Sequence, residues 1–379
     1  MAETTGGETR AGPPRTIILY YTGSPHALEA ARMLEGEGFR VAFWNGESPL
    51  ACGQDTLLVL PEKARPERAP GKCRVWRIPH VQLLPDLTRE ALRTGLWDDP
   101  WRLTLTVVSR TIREYRGLAG KSIPVRPPPL LVAGEAYYRG SLQPLTRTLE
   151  RYASEGADRV VIGFPEPPRG RGVVWRAVSR VADRVGVRVW ADIWDPNSMV
   201  EAVDAGAEAV LSLTPGRLHS IPPEYRGRAW YVLVPCDPGA GWKARVACLL
   251  EGISRAARIG YTRIIVDPIL NPPVRPGALQ GLMACKILSE KIPNTPIMLG
   301  ANNVYEMIDA DTTGTIGLLA ALAGEAGASI LLAGEESVKA WGSIVEARIA
   351  ADLAGLALKY GTPPKDYPLR LLVGKEKGR

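Results

Sequence analysis

From residue 130 onward, short apolar runs alternate with longer amphipathic stretches in a regular pattern. Eight runs predict strands, each about five residues long. They lie at Leu130–Gly134, Arg159–Gly163, Val187–Asp192, Ala209–Leu213, Trp230–Pro235, Arg263–Asp267, Pro296–Gly300 and Ser329–Ala333. Because an open doubly wound sheet usually needs only about six such units, this repetition predicts a (β/α)8 TIM barrel. The strands are almost entirely apolar, which is typical of parallel strands covered on both faces.

The stretches between these runs have helical periodicity. They predict helices at about 142–155, 172–185, 197–205, 217–226, 242–259, 276–290, 312–326 and 337–358. Several predicted helices end at a glycine shortly before the next strand, as in Glu155-Gly156-Ala157, Ala205-Gly206-Ala207 and Ala326-Gly327-Ala328. Glycine is the usual residue where a helix ends in a left-handed conformation.

The amino-terminal part has a different, shorter pattern. Strands are predicted at about 16–21, 40–44, 56–60 and 74–78, with helices near 25–36, 86–95 and 98–118. Ser24 followed by Pro25 is typical of a helix start. This order predicts a small open-sheet α/β domain.

These patterns together predict an α/β protein whose C-terminal (β/α)8 TIM barrel is preceded by the small open-sheet domain. The expected boundaries are a disordered tail at 1–14, the small domain at 15–122, a Pro-rich linker at 123–129, the barrel at 130–360 and a C-terminal extension at 361–379. The linker is expected to be stiff because prolines crowd it.

Composition supports a globular protein without a membrane span. The chain has 379 residues, of which 45% are hydrophobic and 23% charged. No apolar run approaches the ~18 residues of a membrane helix. The first residues lack the apolar core of a signal peptide, so a cytoplasmic location is the expectation. Asn and Gln together number 10, a scarcity that suggests a thermophile.

Net charge is +7, which favours anionic partners in general. The chain has no basic segment interleaved with aromatic residues, which is the pattern typical of nucleic-acid binding. The five cysteines are far apart in the sequence and form no C-x-x-C, so we expect isolated buried thiols. The three histidines stand apart from them, and we expect no metal site and no covalently bound cofactor.

Active sites of such barrels lie at the carboxyl ends of the strands, where this chain places many carboxylates and amides. Asp192 and Asp267 each end an apolar strand, so each is a charge at the edge of a core and a candidate ligand group. Carboxylates suit a ligand with several N–H donors, such as a pterin or purine ring. Additional candidates are Glu135, Asn271, Asn302 and Lys339.

Other polar residues in the same loops have structural interpretations. Asp195 precedes Pro196 and is expected to cap a helix, and Asp311 or Thr312 is expected to do the same. Glu335 and Glu336 precede a helix and could stabilise its dipole. Asn302 and Asn303 could be left-handed turn residues instead of ligand groups.

The region from about 125 to 355 resembles the pterin-binding barrels, the superfamily of dihydropteroate synthase and the methyltetrahydrofolate methyltransferases. The archaeal dihydropteroate synthase-related group is the most similar. The resemblance is carried by residues 191–197, 202–207 and 267–268, by Gly300-Ala301-Asn302-Asn303-Val304-Tyr305-Glu306, and by residues 309–314 and 336–343.

This resemblance implies that Asp192 and Asp267 hold the aminopyrimidine edge of a pterin. It further implies that Asn303 contacts the reduced ring near N5, and that Ser212 stands where the family has an asparagine. The segments with which dihydropteroate synthases bind diphosphate and the arylamine are absent after the first, sixth and seventh strands. The resemblance therefore implies pterin binding more strongly than the synthase reaction, and it identifies no catalytic residue.

Three hypotheses follow. The first is a dihydropteroate synthase-like transferase in archaeal folate or methanopterin-type metabolism, with a reduced pterin as substrate. The second is methyl transfer from a methylated reduced pterin to a corrinoid protein. The third is a non-catalytic pterin-binding protein. The resemblance allows a homodimer, and we expect neither a nucleic acid nor a membrane as partner.

Overall fold

The computed structural model describes residues 12–21, 23–50, 52–53, 55–64, 73–165 and 172–371. Most of the predicted tail at 1–14 and the part of the predicted extension after 371 lie outside the described residues. The chain divides into two compact units. One comprises the residues up to Ile112 with Tyr360–Pro368, and the other comprises Arg113–Lys359 with Leu369 and the residues after it.

The described part of the first unit contains a parallel sheet in the order β2-β1-β3-β4. Its strands are β1 (Thr16–Tyr20), β2 (Arg40–Trp44), β3 (Thr56–Pro61) and β4 (Arg74–Ile78). The central strand β3 is buried from Thr56 to Leu60, whereas the edge strand β2 exposes much of its length. Its helices are α1 (Pro25–Gly36), α2 (Leu84–Thr94) and the first half of α3 (Pro100–Lys121). The predicted open-sheet α/β domain is confirmed.

The second unit contains the predicted barrel. Among the described residues its parallel strands are β5 (Leu131–Tyr137), β6 (Arg159–Gly163), β7 (Arg188–Asp192), β8 (Ala209–Leu213), β9 (Trp230–Leu233), β10 (Ile264–Val266), β11 (Met298–Gly300) and β12 (Ile330–Gly334). They are hydrogen-bonded in the order β10-β9-β8-β7-β6-β5-β12-β11. A parallel bridge between Val266 and Ile297 joins β10 to β11 and closes the barrel. The (β/α)8 prediction is confirmed.

Helices follow most strands of the barrel. They are α4 (Leu142–Ser154), α5 (Gly172–Val185), α6 (Pro196–Asp204), α7 (Trp242–Arg258), α8 (Ala278–Lys291), α9 (Asn302–Tyr305), α10 (Thr312–Ala326) and α11 (Ser343–Tyr360). After β8, two 3-10 turns at Pro215–Ser220 and Pro223–Tyr225 replace the helix predicted near 217–226. Gly327 ends α10 with a φ of 93°, which confirms the predicted left-handed cap.

Side chains that point into the barrel fill it with apolar volume. Because successive residues of a strand point to opposite faces, every second residue faces inward. The interior is formed by Leu131, Ala133, Val161, Trp190, Ala209, Leu211, Val232, Ile265, Met298, Ile330 and Leu332, with Ala119 and Ile123 packed against them. This interior is a packed core, as in other barrels of this architecture, and leaves polar groups only at its two ends.

At the end where the strands begin, buried charges are matched in sign. Arg159, which is 1% exposed, donates through Nε to Glu208 at 2.5 Å and through Nη1 to the carbonyl of Ala119 at 3.1 Å. Arg348 donates to Asp158 and Asp352, both at 2.8 Å. We call these five charged residues, Asp158, Arg159, Glu208, Arg348 and Asp352, the closed end.

The expectation of isolated thiols is wrong. Disulfides join Cys52 to Cys73 and Cys236 to Cys248, and Cys285 is buried and free. Cys236 follows β9 and Cys248 lies on α7, 12 residues further along the chain. The turn between strand and helix brings these positions to a Cα separation of 6.1 Å, within the range that a disulfide requires. Spacing in the sequence alone does not reveal such a pair.

Among the described residues, no helix is both long and apolar enough to cross a membrane. In the same part of the chain, no group of three or more His, Cys, Asp or Glu side chains is placed to hold a metal ion.

Candidate functional site

The carboxyl ends of the barrel strands carry a cluster of buried and half-buried polar side chains, which we call the mouth. It comprises Glu135 on β5, Asp192 on β7, Ser212 on β8, Asp267 after β10 and Asn302 on α9. Glu135, Asp267 and Asn302 are 3%, 8% and 8% exposed. These residues are far apart in the sequence, and the barrel brings them together as the positions after its strands predicted.

The inward alternation of the strands places these groups above the apolar interior. Glu135 follows Leu131 and Ala133 at two-residue intervals, and Asp192 follows Trp190 in the same way. Each carboxylate therefore continues an inward-facing row one layer beyond the core.

Glycines at the same level leave room for these polar side chains. A Cβ at Gly163 would lie 2.6 Å from the ring of Tyr137 and 3.2 Å from Oε1 of Glu135. A Cβ at Gly300 would lie 2.9 Å from Nδ2 of Asn303. Larger residues at these positions would displace the groups that face the mouth.

Asp192 accepts a hydrogen bond of 2.6 Å from the hydroxyl of Ser212. Ser212 has a φ of 70°, and the pairing of β8 with β9 shifts register between Val210 and Leu213. A left-handed conformation in a non-glycine residue is uncommon and costs about 1 kcal/mol or more. Here it accompanies the hydrogen bond that fixes Asp192.

Glu135 is contacted by neighbours on its own strand and on α9. Its Oε2 accepts from the hydroxyl of Tyr137 at 3.2 Å and from Nδ2 of Asn302 at 3.1 Å. Its Oε1 and the Oδ1 of Asn302 are buried and have no hydrogen-bond partner. Buried polar atoms of native proteins are nearly always paired, so two unpaired acceptors at one mouth call for a donor.

Asp267 is held by its own loop. Its Oδ1 accepts from the backbone N–H of Ile269 at 2.7 Å, and Ile269 has a φ of 60°. Beneath this loop the buried Arg245 of α7 donates to the carbonyls of Pro268 at 3.2 Å and Ile269 at 2.8 Å, and to that of Ala240 at 2.6 Å. The loops after β9 and β10 thus share one guanidinium.

Burial raises the pKa values of all three carboxyl groups at the mouth. Desolvation, followed by the charge of Asp192, raises the pKa of Glu135 to about 8. Desolvation likewise raises the pKa of Asp267 to about 7 and raises the pKa of Asp192. Strongly raised carboxyl pKa values in a cleft are typical of binding and catalytic sites.

Some of the additional candidates have other roles. Asn271 is buried and donates to the carbonyl of Pro238 at 2.8 Å, and Nζ of Lys339 donates to the carbonyl of Ile308. Asn303 is exposed, and its amide lies over Gly300 at the mouth. The structure thus brings Asn303 to the mouth but gives Asn271 and Lys339 backbone partners.

The predicted caps are present. The carboxylate of Asp195 accepts from the N–H of Ser198 at 2.9 Å at the start of α6, and that of Asp311 accepts from Thr313 at 2.9 Å at the start of α10. Glu335 accepts from the N–H of Gly342, just before α11, at 3.0 Å, and both Glu335 and Glu336 also pair with arginines. Glu335 bonds Arg151 at 2.5 Å, and Glu336 bonds Arg139 at 3.0 Å.

Two cavities among the described residues open beside Tyr137. One of about 320 Å³ lies against α4 and is lined by Glu135, Tyr137, Arg139, Thr148, Tyr152 and Glu336, among others. Another of about 210 Å³ is lined by Asn302, Asn303, Glu306 and Met307. Tyr137 and Glu336 line both cavities. Sequence reasoning missed Tyr137; its inward position two residues after Glu135 is the signal that could have found it.

No protein-family model matches this chain. An uncharacterized protein of Methanocaldococcus jannaschii is 28% identical over 259 residues, which cover 66% of this chain and 49% of that protein. The chain therefore spans about half the length of the curated relative that it matches.

Solved structures of dihydropteroate synthases are similar to this chain. The 7,8-dihydropteroate synthase of Vibrio fischeri ES114 has a TM-score of 0.49 and 16% identity, covering 61% of this chain and 93% of that chain. The enzyme of Coxiella burnetii, solved in complex with pteroic acid, has a TM-score of 0.48 and 20% identity, covering 59% of this chain and 91% of that chain.

Proposed function

We propose that the mouth of this barrel binds a reduced pterin and that the chain is a transferase acting on it, of the dihydropteroate synthase-like kind. The observation that carries the proposal is the convergence of Asp192, Asp267 and Glu135 on one mouth, where burial raises the pKa of each. Acceptors so placed suit a flat heterocycle with several N–H donors.

The pyrimidine side of a pterin offers two such donors together, the 2-amino group and N3–H. One carboxylate can accept both, and each charge-assisted bond contributes about 1.5–3 kcal/mol. Asp192 and Asp267 are the carboxylates assigned to this edge. Asp192 is oriented by Ser212, and Asp267 is oriented by the N–H of Ile269.

The far side of the ring faces Asn302 and Asn303, which line the cavity of about 210 Å³. The amide of Asn303 can reach a ring nitrogen, and the Oδ1 of Asn302 can accept from a ring N–H. The low bulk at Gly300 lets these amides lie close to the ligand.

A second candidate reaction is methyl transfer from a methylated reduced pterin. It is favoured because, among the described residues, the cations beside the mouth already have partners. Arg139 pairs with Glu336, Arg151 pairs with Glu335, and Lys339 bonds a carbonyl. A diphosphate leaving group would need cations or free N–H groups. A methylated pterin has no such requirement, and its methyl acceptor would be a corrinoid carried by another protein.

The test is a calorimetric titration of the full chain with 7,8-dihydropterin, its 6-hydroxymethyl diphosphate and a methylated tetrahydropterin. For whichever of the three compounds binds the wild type, Asp267→Asn should weaken binding at least tenfold, or by about 1.4 kcal/mol. The exposed Glu224→Gln is the matched control and should bind normally.

The outcomes separate the candidates. Preference for the diphosphate form supports condensation, whereas preference for the methylated form supports methyl transfer. Binding without turnover, measured with an added arylamine or with an added corrinoid protein, supports a pterin-binding protein. Absence of binding by all three compounds, or normal binding by Asp267→Asn, would contradict the proposal.

A further inference from the structure

The carboxyl group of Glu135 is asymmetric in its contacts. Both of its donors, Tyr137 and Asn302, bond Oε2, whereas Oε1 is buried without a donor. Oε1 points toward β6, because a Cβ added at Gly163 would lie 3.2 Å from it. The side of the carboxyl that lacks a donor therefore faces the neighbouring strand, not solvent.

Beyond β6 lies Asp192. Gly163 is in register with Tyr137 on one side and with Asp192 on the other. Because Gly163 has no side chain, no side chain of β6 separates the inward-facing carboxyl groups of Glu135 and Asp192, and the charge of Asp192 contributes to raising the pKa of Glu135. A hydrogen bond between two carboxyl groups requires that one of them carry the proton.

The surroundings decide which group is the neutral acid. Asp192 accepts from the hydroxyl of Ser212 at 2.6 Å, which favours its ionised form. Oε1 of Glu135 has no donor of its own and is the atom left to carry a proton. Two ionised carboxylates in contact in a buried site would repel strongly, as in other carboxyl pairs that share a proton.

We propose that Glu135 and Asp192 hold one proton between them and that Glu135 donates this proton to a weakly basic nitrogen of the heterocycle bound at the mouth. The second half rests on the proposed function, whereas the first half does not. The proton leaves the Glu135 hydroxyl and forms an N–H bond on the ring, so a ring cation then faces two carboxylates. Water restores the proton after the ligand leaves.

Proton donation by Glu135 indicates a class of substrate and a class of reaction. The ligand is a nitrogen heterocycle that gains affinity when protonated, and the reaction is one in which a protonated ring nitrogen makes a better leaving group. An N5-substituted reduced pterin has this property.

Other titratable groups face the same site and bear on its pH dependence. Tyr137 lies on the same strand, and desolvation and the charge of Glu135 raise its pKa, so it stays neutral. Asp267 interacts with Asp192 from the far side of the mouth. The cavity beside Glu135 also presents Tyr152 and the Glu335, Glu336 and Arg139 side chains.

The first test uses ligand-free protein. Infrared difference spectra between the wild type and Glu135→Gln should show a protonated carboxyl stretch at pH 6 that disappears as pH rises past about 8. In Asp192→Asn, which removes the facing charge, the same band should titrate at lower pH. Glu224→Gln should leave the band unchanged.

The thermal stability of the wild type, compared with that of Glu135→Gln, should decrease as pH rises. The raised pKa of Glu135 means that the folded state binds a proton more tightly than the unfolded chain between about pH 4.5 and 8. Wild-type Tm should therefore fall relative to that of Glu135→Gln as pH rises through this window. An infrared band that is absent at pH 6, together with a flat difference in Tm, would overturn the shared proton.

The second test measures proton uptake during binding. Calorimetric titrations with a methylated tetrahydropterin, in buffers of different ionisation enthalpy, should show proton uptake on binding above pH 8. Over a series of pH values, wild-type binding should weaken about tenfold per pH unit above pH 8. Glu135→Gln should lose this dependence. If the infrared band is present but binding is independent of pH in the wild type, proton donation is wrong while the pair stands. If no pterin binds, the proposed function is wrong. The infrared and Tm measurements on ligand-free protein still show whether Glu135 and Asp192 share a proton.

Discussion

The two ends of the barrel bury charge in opposite ways. At the closed end each buried arginine has carboxylate partners, such as Glu208 for Arg159 and Asp158 for Arg348. At the mouth, Glu135 accepts from a hydroxyl and an amide, Asp192 accepts from a hydroxyl, and Asp267 accepts from a backbone N–H. The closed end pairs its charges within the chain and leaves only a donor, Nε of Arg348, without a partner, whereas the mouth leaves acceptors that a ligand could satisfy.

The difference appears in the pKa shifts of some of these groups, although desolvation raises the pKa of Asp158 at the closed end despite its contact with Arg348. Arg159 and Arg188 lower the pKa of Glu208 against the effect of burial. The pKa values of Glu135 and Asp267 rise, since desolvation is their largest cause and no arginine pairs with them directly. Direct bonds from two arginines thus offset the burial of Glu208, and the mouth provides no such bonds to Glu135 or Asp267.

The largest expected effect comes from breaking the closed end. Glu208→Gln removes the charge that compensates Arg159, which is 1% exposed. We expect the free energy of unfolding to fall by about 3 kcal/mol, because one partner of a buried pair is left uncompensated. Urea denaturation at pH 7 measures this change, and a loss below ~1 kcal/mol would show that the pair is not a structural element.

The same chemical change at the mouth should have the opposite sign. Asp267→Asn removes a carboxyl group whose pKa is raised to about 7, so the penalty for ionising it disappears above that pH. We expect the Tm of Asp267→Asn to equal or exceed that of the wild type at pH 8. The difference in Tm should be smaller near pH 4, where the wild-type group is protonated. A clear loss of Tm at pH 8 would erase the contrast between the two ends.

The smallest expected effect concerns the conformation of Ser212. Ser212→Gly relieves a left-handed residue but removes the hydroxyl that bonds Asp192, and each contribution is about 1 kcal/mol. We expect an unfolding free energy within about 0.5 kcal/mol of the wild type, and ligand binding a few-fold weaker. Ser212→Ala, which loses the bond without the relief, should be the less stable of the two.

The sequence predicted the architecture because its signals are local and repeated. Apolar runs give the strands, Asp195 and Asp311 mark helix starts, and Gly327 marks a helix end. The positions of Asp192 and Asp267 after apolar strands also placed them at the mouth. Local chemistry and barrel geometry agree at these residues, so either alone leads to the same prediction.

Features that depend on contacts across the barrel were not predictable in this way. The ion pair of Glu335 with Arg151 joins positions 184 residues apart, and the disulfide of Cys236 with Cys248 depends on how a strand end meets a helix. The position of Oε1 of Glu135, directed toward Asp192, requires a missing side chain at Gly163, on a third strand. No periodicity in the sequence carries that information.

Arg245 has a mechanical consequence for the mouth. Its guanidinium bonds carbonyls of Ala240, Pro268 and Ile269, which belong to loops following two different strands. A displacement of either loop must stretch the same set of bonds, so the two loops should move as one body. The rim around Asp267 would then open and close as a single correlated motion, with one relaxation rate for both loops.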